Sequence, residues 1–229
     1  MNNNNIKNTI ASLPEDYYAN EREVAYFSTY DECDDYFLPE DLIEKIWGWV
    51  NAHYYNLEFI GDRDVGGDVS ILASNSGAGR LLLPAPKNAV ITAYNLDYTC
   101  LKITDFVCQK RAEEGRYFSK NRDISQYFAL KNTNSSRKYD IVITQPGQNY
   151  KFYEGVDFEK DMQELSPAEY YSQRAMHFVD EGGVLILICG KKEVEKIRDK
   201  SYFTISEVIE TDDNQKEKYV GVIIKKTLE

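Results

Sequence analysis

Positive charge is scarce in this sequence. Lys and Arg number 27 against 38 Asp and Glu, a formal net charge of −11. A protein that grips duplex DNA unaided draws affinity from Lys and Arg that neutralise phosphates. That bias is missing here. DNA contact through a local basic surface stays open, but strong autonomous binding is not expected. Long apolar runs are missing too. No stretch of about 18 apolar residues exists, so no transmembrane helix and no membrane partner is expected. Met1 to Asn5 are polar and carry no apolar core of a signal peptide, so the expected location is cytoplasmic. Cys33, Cys100, Cys108 and Cys189 include no C-x-x-C pair, which supports neither a disulfide framework nor a zinc site. Cys189 ends an apolar run and reads as a reduced core residue. His53 and His177 lack metal-ligand spacing, so no metal is expected. His177 reads as a helix-surface residue rather than a base.

What is present points to one α/β domain. The length of 229 residues suffices to bury a sizeable core. The 18 tyrosines read as half-buried packing residues before they read as platforms for stacked bases. Residues 1–35 are polar, acidic and Tyr-rich and form an expected N-terminal extension; residues 36–229 form the expected domain. Leu38-Pro39-Glu40-Asp41 is a helix start, with proline early and carboxylates in the first turn. Leu42, Ile43, Ile46, Trp47 and Val50 follow at helical spacing. Val69 to Ala73 reads as a buried strand. Ser74-Asn75-Ser76-Gly77-Ala78-Gly79-Arg80 then makes a glycine loop leading into a helix start at Leu81-Leu82-Leu83. Strand, glycine loop and helix is the order expected of a cofactor loop.

A second strand spans Ala89 to Tyr94 and ends in Asn95-Leu96-Asp97. A helix follows with Cys100, Ile103 and Val107 on one face. Tyr117-Phe118 is a candidate short third strand with Asp123 beyond it. Tyr139 to Thr144 is a clear fourth strand, stopped by the turn Gln145-Pro146-Gly147-Gln148. Ser166-Pro167-Ala168-Glu169 is a capping box whose helix is expected to run to Gly182-Gly183. Val184 to Cys189 is a continuous apolar strand, as in a parallel sheet covered on both faces. A short helix at Lys191 to Lys200 precedes two strands, near Tyr202 to Ile209 and Tyr219 to Ile224. The turn between them, Asp212-Asp213-Asn214, is too short for anything but an antiparallel pair.

This order resembles the Rossmann-like fold of class I S-adenosylmethionine-dependent methyltransferases, a seven-stranded, mainly parallel sheet with an antiparallel last strand. Local sequences sharpen the likeness to N6-adenine DNA methyltransferases, in particular the modification subunits of type I restriction systems. Tyr36-Phe37-Leu38-Pro39 resembles their F-x-T-P-type element. Gly77-Ala78-Gly79-Arg80-Leu81-Leu82-Leu83 resembles the G-x-G-R-L-L-L stretch of their cofactor loop. Ala93 to Asp97 stands where they carry an aromatic followed by E-x-D. Tyr139 to Gln148 resembles the strand leading into their N-P-P-[FY] motif, and Glu169 to Ile186 the helix and strand after it. The resemblance covers residues 36–190.

It implies S-adenosylmethionine as cofactor, held around Leu38, Pro39, Ala73, Asn75, Gly77, Gly79, Asn95 and Asp123. It also exposes departures. The family's Asp at the end of the first strand is Ala73 here. The Thr that meets the cofactor's amino-acid end is Leu38. The acidic ribose acceptor is Asn95, with Asp97 two residues on. Asp123 matches an acidic position near the adenine ring, or is a solvated loop carboxylate. The catalytic turn is Gln145, Pro146, Gly147 and Gln148. Methyl transfer to adenine N6 needs a flipped base held in register. Gln145 keeps the amide on an arm one methylene longer, Gly147 removes a rigid proline, and Gln148 offers no aromatic face; Tyr150, Phe152 and Tyr153 are the nearby alternatives.

Two readings result. One is a methyltransferase-fold protein with a weak or lost cofactor site and impaired catalysis, acting through a protein partner such as a restriction-modification-like subunit. The other is an active N6-adenine DNA methyltransferase that needs a partner subunit to read DNA. A nicotinamide-binding enzyme is disfavoured, because the third glycine of that fingerprint is absent.

Overall fold

Four runs of the sequence are apolar at nearly every position, and each becomes a strand whose two faces are both covered. In the computed structural model the described residues are 38–54, 68–74, 79–95, 101, 104–105, 108–121, 137–146, 165–198, 203–211 and 219–226. The N-terminal extension, the Asp212 to Asn214 turn and the site positions Asn75, Gly77, Asp97, Asp123, Gly147 and Gln148 lie outside them, as do Tyr150, Phe152 and Tyr153.

The strands are β1 (Ser70–Ser74), β2 (Val90–Asn95), β3 (Tyr117–Asn121), β4 (Tyr139–Thr144), β5 (Val179–Gly190), β6 (Phe203–Glu210) and β7 (Tyr219–Lys226). They form one sheet in the order β3-β2-β1-β4-β5-β7-β6. β1 pairs in parallel with β2 and β4, β2 with β3, and β4 with β5. β7 is antiparallel to both β5 and β6. The expected fold class and the closing antiparallel strand are therefore present. β1 lies inside the sheet, and the expected short strand at Tyr117-Phe118 is one of its two edges.

The helices are α1 (Glu40–Tyr54), α2 (Gln109–Glu113), α3 (Pro167–Met176) and α4 (Lys191–Arg198). α1 covers one face of the sheet. Its apolar stripe of Leu42, Ile43, Ile46, Trp47 and Val50 is buried with Ile71, Ile91, Ile141, Ile186 and Ile223. Burying each such side chain contributes roughly 1.5–3 kcal/mol. The stripe sits so close to β7 that a Cβ on Gly221 would meet Ile46 Cδ1 at 2.7 Å. α3 and α4 cover the other face, packing with Leu72, Val142, Leu185, Leu187 and Val222.

Two sequence expectations need correction. The helix after the capping box does not reach Gly182-Gly183. Its start is as expected: Glu169 N donates to Ser166 Oγ at 3.4 Å, and Ser166 N donates to Glu169 Oε2 at 3.0 Å. It ends at Met176, because the chain is captured by the sheet. Tyr139 N donates to Phe178 O at 2.8 Å, which starts β5 beside β4. Between Val179 and Val184 the register with β4 slips, and Gly182 and Gly183 lie within that irregular stretch. The second correction concerns the stretch after the glycine loop. Arg80–Leu82 is a single 3₁₀ turn rather than the start of a longer helix. Pro84 and Pro86 explain it, since neither has an N–H to continue the ladder.

The amino ends of β1 and β4 are clamped together. Ser70 N and Oγ both donate to Asp140 Oδ2, at 2.8 and 2.7 Å. Gly183, within the irregular stretch, lies against the same residue: a Cβ there would meet Asp140 O at 2.7 Å. Because the obstacle is backbone within the β4–β5 ladder, Gly183→Ala is expected to destabilise the protein by roughly 1–3 kcal/mol. Gly182→Ala, at φ 75° with open space around it, should cost about 1–2 kcal/mol for its left-handed backbone alone. Urea midpoints at constant slope measure both. A Gly183 variant as stable as wild type would refute this account of the irregular stretch.

Candidate functional site

Parallel register brings the carboxyl ends of the inner strands to one level. Ser74 of β1 stands opposite Tyr94 of β2 and Thr144 of β4. Asn95 lies one residue past Tyr94, and Asn121 of β3 is its partner. The strand bodies are apolar, but their ends are polar and still buried: Ser74 and Thr144 are 0% exposed, Asn95 5% and Gln145 8%. The sheet runs from β1 outward to β2 and β3, then returns to place β4 on the other side of β1. Ligands of open α/β sheets sit in the crevice that opens beyond such a reversal.

The crevice floor is held by a hydroxyl bridge. Ser74 Oγ donates to Thr144 Oγ1 at 2.8 Å. One residue further, Gln145 N donates to Ser74 O at 3.4 Å, extending the β1–β4 ladder to the first residue of the predicted catalytic turn. Pro146 is buried beside it.

The wall opposite is the exit of the glycine loop. Gly79 adopts φ 76°, and a Cβ there would meet Thr104 Oγ1 and Cγ2 at 3.0 Å. Left-handed backbone and close approach together require glycine. Beyond it the chain is fastened to α1 by two side chains. Arg80 Nη1 donates to Leu38 O at 3.3 Å, and Trp47 Nε1 donates to Leu81 O at 2.7 Å.

The predicted site residues thus divide. Asn95, Gln145 and Pro146 stand at the carboxyl ends of β2 and β4, and Gly79 lies against Thr104 at the exit of the glycine loop. The side chains of Leu38 and Ala73 are in the core, at 2% and 0% exposure, and Leu38 reaches the edge through its carbonyl. Pro39 is half-buried at the start of α1. Sequence reasoning missed Ser74, Thr104 and Thr144. The available signal was a hydroxyl residue closing an otherwise apolar strand.

Charge is what these strand ends lack. β1, β2, β3 and β4 end in Ser74, Asn95, Asn121 and Thr144, followed by Gln145, with no carboxylate among them. Hydroxyls and amides hydrogen-bond a polar ligand well but do not exchange protons near neutral pH. Cys189 stands near the end of β5, where burial, with Glu193 adding to it, pushes its thiol up to about 12. Burial likewise pushes Cys108 up to about 12 despite the opposing pull of Arg111. Neither is a thiolate nucleophile. Burial, reinforced by a 2.8 Å hydrogen bond to Asp105 Oδ1, also raises the Tyr117 hydroxyl. Among the described residues no group of three His, Cys, Asp or Glu could hold a metal ion.

No protein-family model and no curated protein matches the chain. Solved structures do. A candidate class I S-adenosylmethionine-dependent methyltransferase of Listeria monocytogenes aligns with a TM-score of 0.62 at 12% identity, over 100% of this chain and 69% of that one. The 1,6-didemethyltoxoflavin-N1-methyltransferase of Burkholderia thailandensis, solved with S-adenosylhomocysteine, aligns at 0.58 and 12% identity, over 90% and 88%. A candidate RNA methyltransferase of Pyrococcus horikoshii aligns at 0.57 and 13% identity, over 98% and 99%. The fold is that of the class I S-adenosylmethionine-dependent methyltransferases. At these identities the likeness concerns the fold alone. None of the three is described as an N6-adenine DNA methyltransferase, so that narrower resemblance stands on the sequence motifs.

The hydroxyl bridge is directly testable. Thr144→Val leaves the buried Ser74 hydroxyl without this partner, at a cost of about 1–3 kcal/mol. Adding Ser74→Ala should cost less than the sum of the two single changes, since no hydroxyl is then stranded. A double-mutant cycle by denaturant unfolding reads the coupling. Strict additivity would refute the bridge.

Proposed function

We propose that the crevice between β1 and β4 is a weakened S-adenosylmethionine site, and that the chain alone does not methylate adenine. It acts as a methyltransferase-fold module that works with a protein partner, in the manner of the modification subunits it resembles. One observation carries this reading: the ends of β1 and β2, at Ala73 and Asn95, are neutral where the resembled enzymes place carboxylates.

The residues present fit the cofactor in kind but not in strength. Asn95 offers a neutral amide oxygen to the ribose hydroxyls, and the Gly79 turn leads the chain past the strand ends without a side chain of its own. When bound, the cofactor would supply an electrophilic methyl group. What this chain offers the acceptor base is Gln145, held by the Ser74 carbonyl at the end of β4, whose side-chain oxygen is displaced by one methylene from the place of the family's Asn. Misplacement of about 1 Å is enough to lower such a reaction about 10²-fold. Gln148 adds nothing to stack on, where base stacking is worth roughly 1–3 kcal/mol.

A second reading, an active methyltransferase completed by a partner, is favoured by a different observation. Gln145 retains an amide, only 8% exposed, at the end of β4.

Calorimetric titration separates weak from intact cofactor binding. Replacing a charged acceptor by a neutral one costs about 1.5–3 kcal/mol. Wild type is therefore expected to bind S-adenosylmethionine with a dissociation constant above micromolar, and Asn95→Asp to tighten it at least about tenfold. A submicromolar constant for the wild type, or no gain in the variant, would overturn the weakened-site reading.

Catalysis is tested with unmethylated DNA and labelled S-adenosylmethionine, with and without candidate partner subunits. The isolated wild type should incorporate no label. Incorporation abolished by Gln145→Ala would establish the second reading instead. The triple change Gln145→Asn, Gly147→Pro and Gln148→Tyr should restore activity only if cofactor and base are still held.

A further inference from the structure

At the opposite edge of the sheet, just before β2 begins, an open pocket of about 650 Å³ lies between the end of α1, the turn after the glycine loop and α2. Its wall is Leu83, Pro84 and Pro86, and its polar lining is Asn51, Lys87 and Arg111. Among the described residues no carboxylate lines it, although the chain carries a net charge of −11. Leu83 is 40% exposed, whereas Leu81 and Leu82 beside it are 3% and 1% exposed.

The two cations play different parts. Arg111 is fixed: Nη1 donates to Pro86 O at 2.6 Å and Nη2 to Ala85 O at 2.6 Å, with Lys87 O at 3.4 Å from Nη1. These acceptors are neutral, so its charge persists at the pocket while its fork is already engaged. Lys87 is exposed and makes no ion pair with the described residues. We propose that this pocket docks an acidic segment of a partner protein, one carboxylate meeting Lys87 while a neighbouring aliphatic or aromatic side chain packs on Leu83, Pro84 and Pro86.

Three features favour a protein segment over a phosphate ligand. The end-on Nη fork of Arg111 already donates to the carbonyls of Pro86 and Ala85, which disfavours its use for phosphate. The apolar wall calls for an apolar group beside the charge. The negative chain repels a polyanionic backbone more than a short segment with one or two carboxylates. The prolines add a wall that loses little entropy when covered. Because the pocket stands at the amino ends of the strands, a bound partner leaves the crevice at their carboxyl ends open. The proposal is independent of whether the crevice binds cofactor.

The test uses the full chain labelled with ¹⁵N and two pools of blocked octapeptides. One alternates Asp or Glu with Leu, Phe or Val; the other carries Asn or Gln in place of the acids. The acidic pool should shift the amide signals of Asn51, Leu83, Ala85 and Lys87. Lys87→Glu and Leu83→Ser should each weaken that binding at least tenfold, and Lys87→Glu should leave S-adenosylmethionine titration as in wild type. Equal binding of the neutral pool, unchanged binding in Lys87→Glu, or shifts confined to other residues would overturn the proposal. So would inorganic phosphate producing the same shifts at lower concentration, which would assign the pocket to a phosphate ligand.

Discussion

β1 and β4 lie side by side although the residues that join them are 70 positions apart in the chain. Closing a loop of that length is entropically unfavourable, and parallel strands cannot meet through a short turn. The pair is held at both ends. At the amino end the Asp140 carboxylate takes two hydrogen bonds from Ser70, and at the carboxyl end Ser74 and Thr144 share one between hydroxyls. Between them, Ile71, Leu72, Ile141 and Val142 are fully buried. Everything functional that the fold offers follows from this pairing. With β4 placed beside β1 rather than beyond β3, the crossovers diverge and a crevice opens above the join.

The legible parts of the sequence were those where one signal acts alone. Val184 to Cys189 is apolar at every position, and only a strand covered on both faces suits it. The Ser166 cap identifies itself by Glu169 three residues on, because that spacing lets each side chain reach the other's backbone N–H. Errors arose where two signals compete. Helical composition continues past Met176, but the ladder of β4 captures Phe178 first. Leu81 to Leu83 looks like a helix start, yet Pro84 and Pro86 stop it after one turn. Register was the least legible feature. Ser74 and Thr144 become partners only once β1 and β4 are known to be adjacent and level, and no local pattern states that.

Six of the described cations are already engaged within the chain. Arg80 and Arg111 donate to backbone carbonyls. Lys191, Lys196, Arg198 and Arg116 pair with Glu210, Glu193, Glu195 and Asp68. Such exposed pairs add little stability, about 0–1 kcal/mol each. Their larger consequence is that fewer cations remain to meet phosphates.

The neutral strand ends also bear on how the fold would tolerate the weakened site proposed above. A carboxylate buried at the end of β1 or β2 is costly until a ligand or a cation satisfies it, so it ties the free energy of the edge to occupancy. Ser74 and Thr144 satisfy each other, and the loop exit is secured by Arg80 and Trp47 through the carbonyls of Leu38 and Leu81. None of these bonds needs cofactor. The stabilising contacts lie in the strand bodies and in α1, α3 and α4, below the crevice. Charge at the crevice can therefore be lost, and with it affinity and catalysis, while the sheet keeps its order and the amino-edge pocket keeps its shape. The structure separates the residues that make the fold from those that would make the reaction, so under the proposed function the fold would persist without the chemistry.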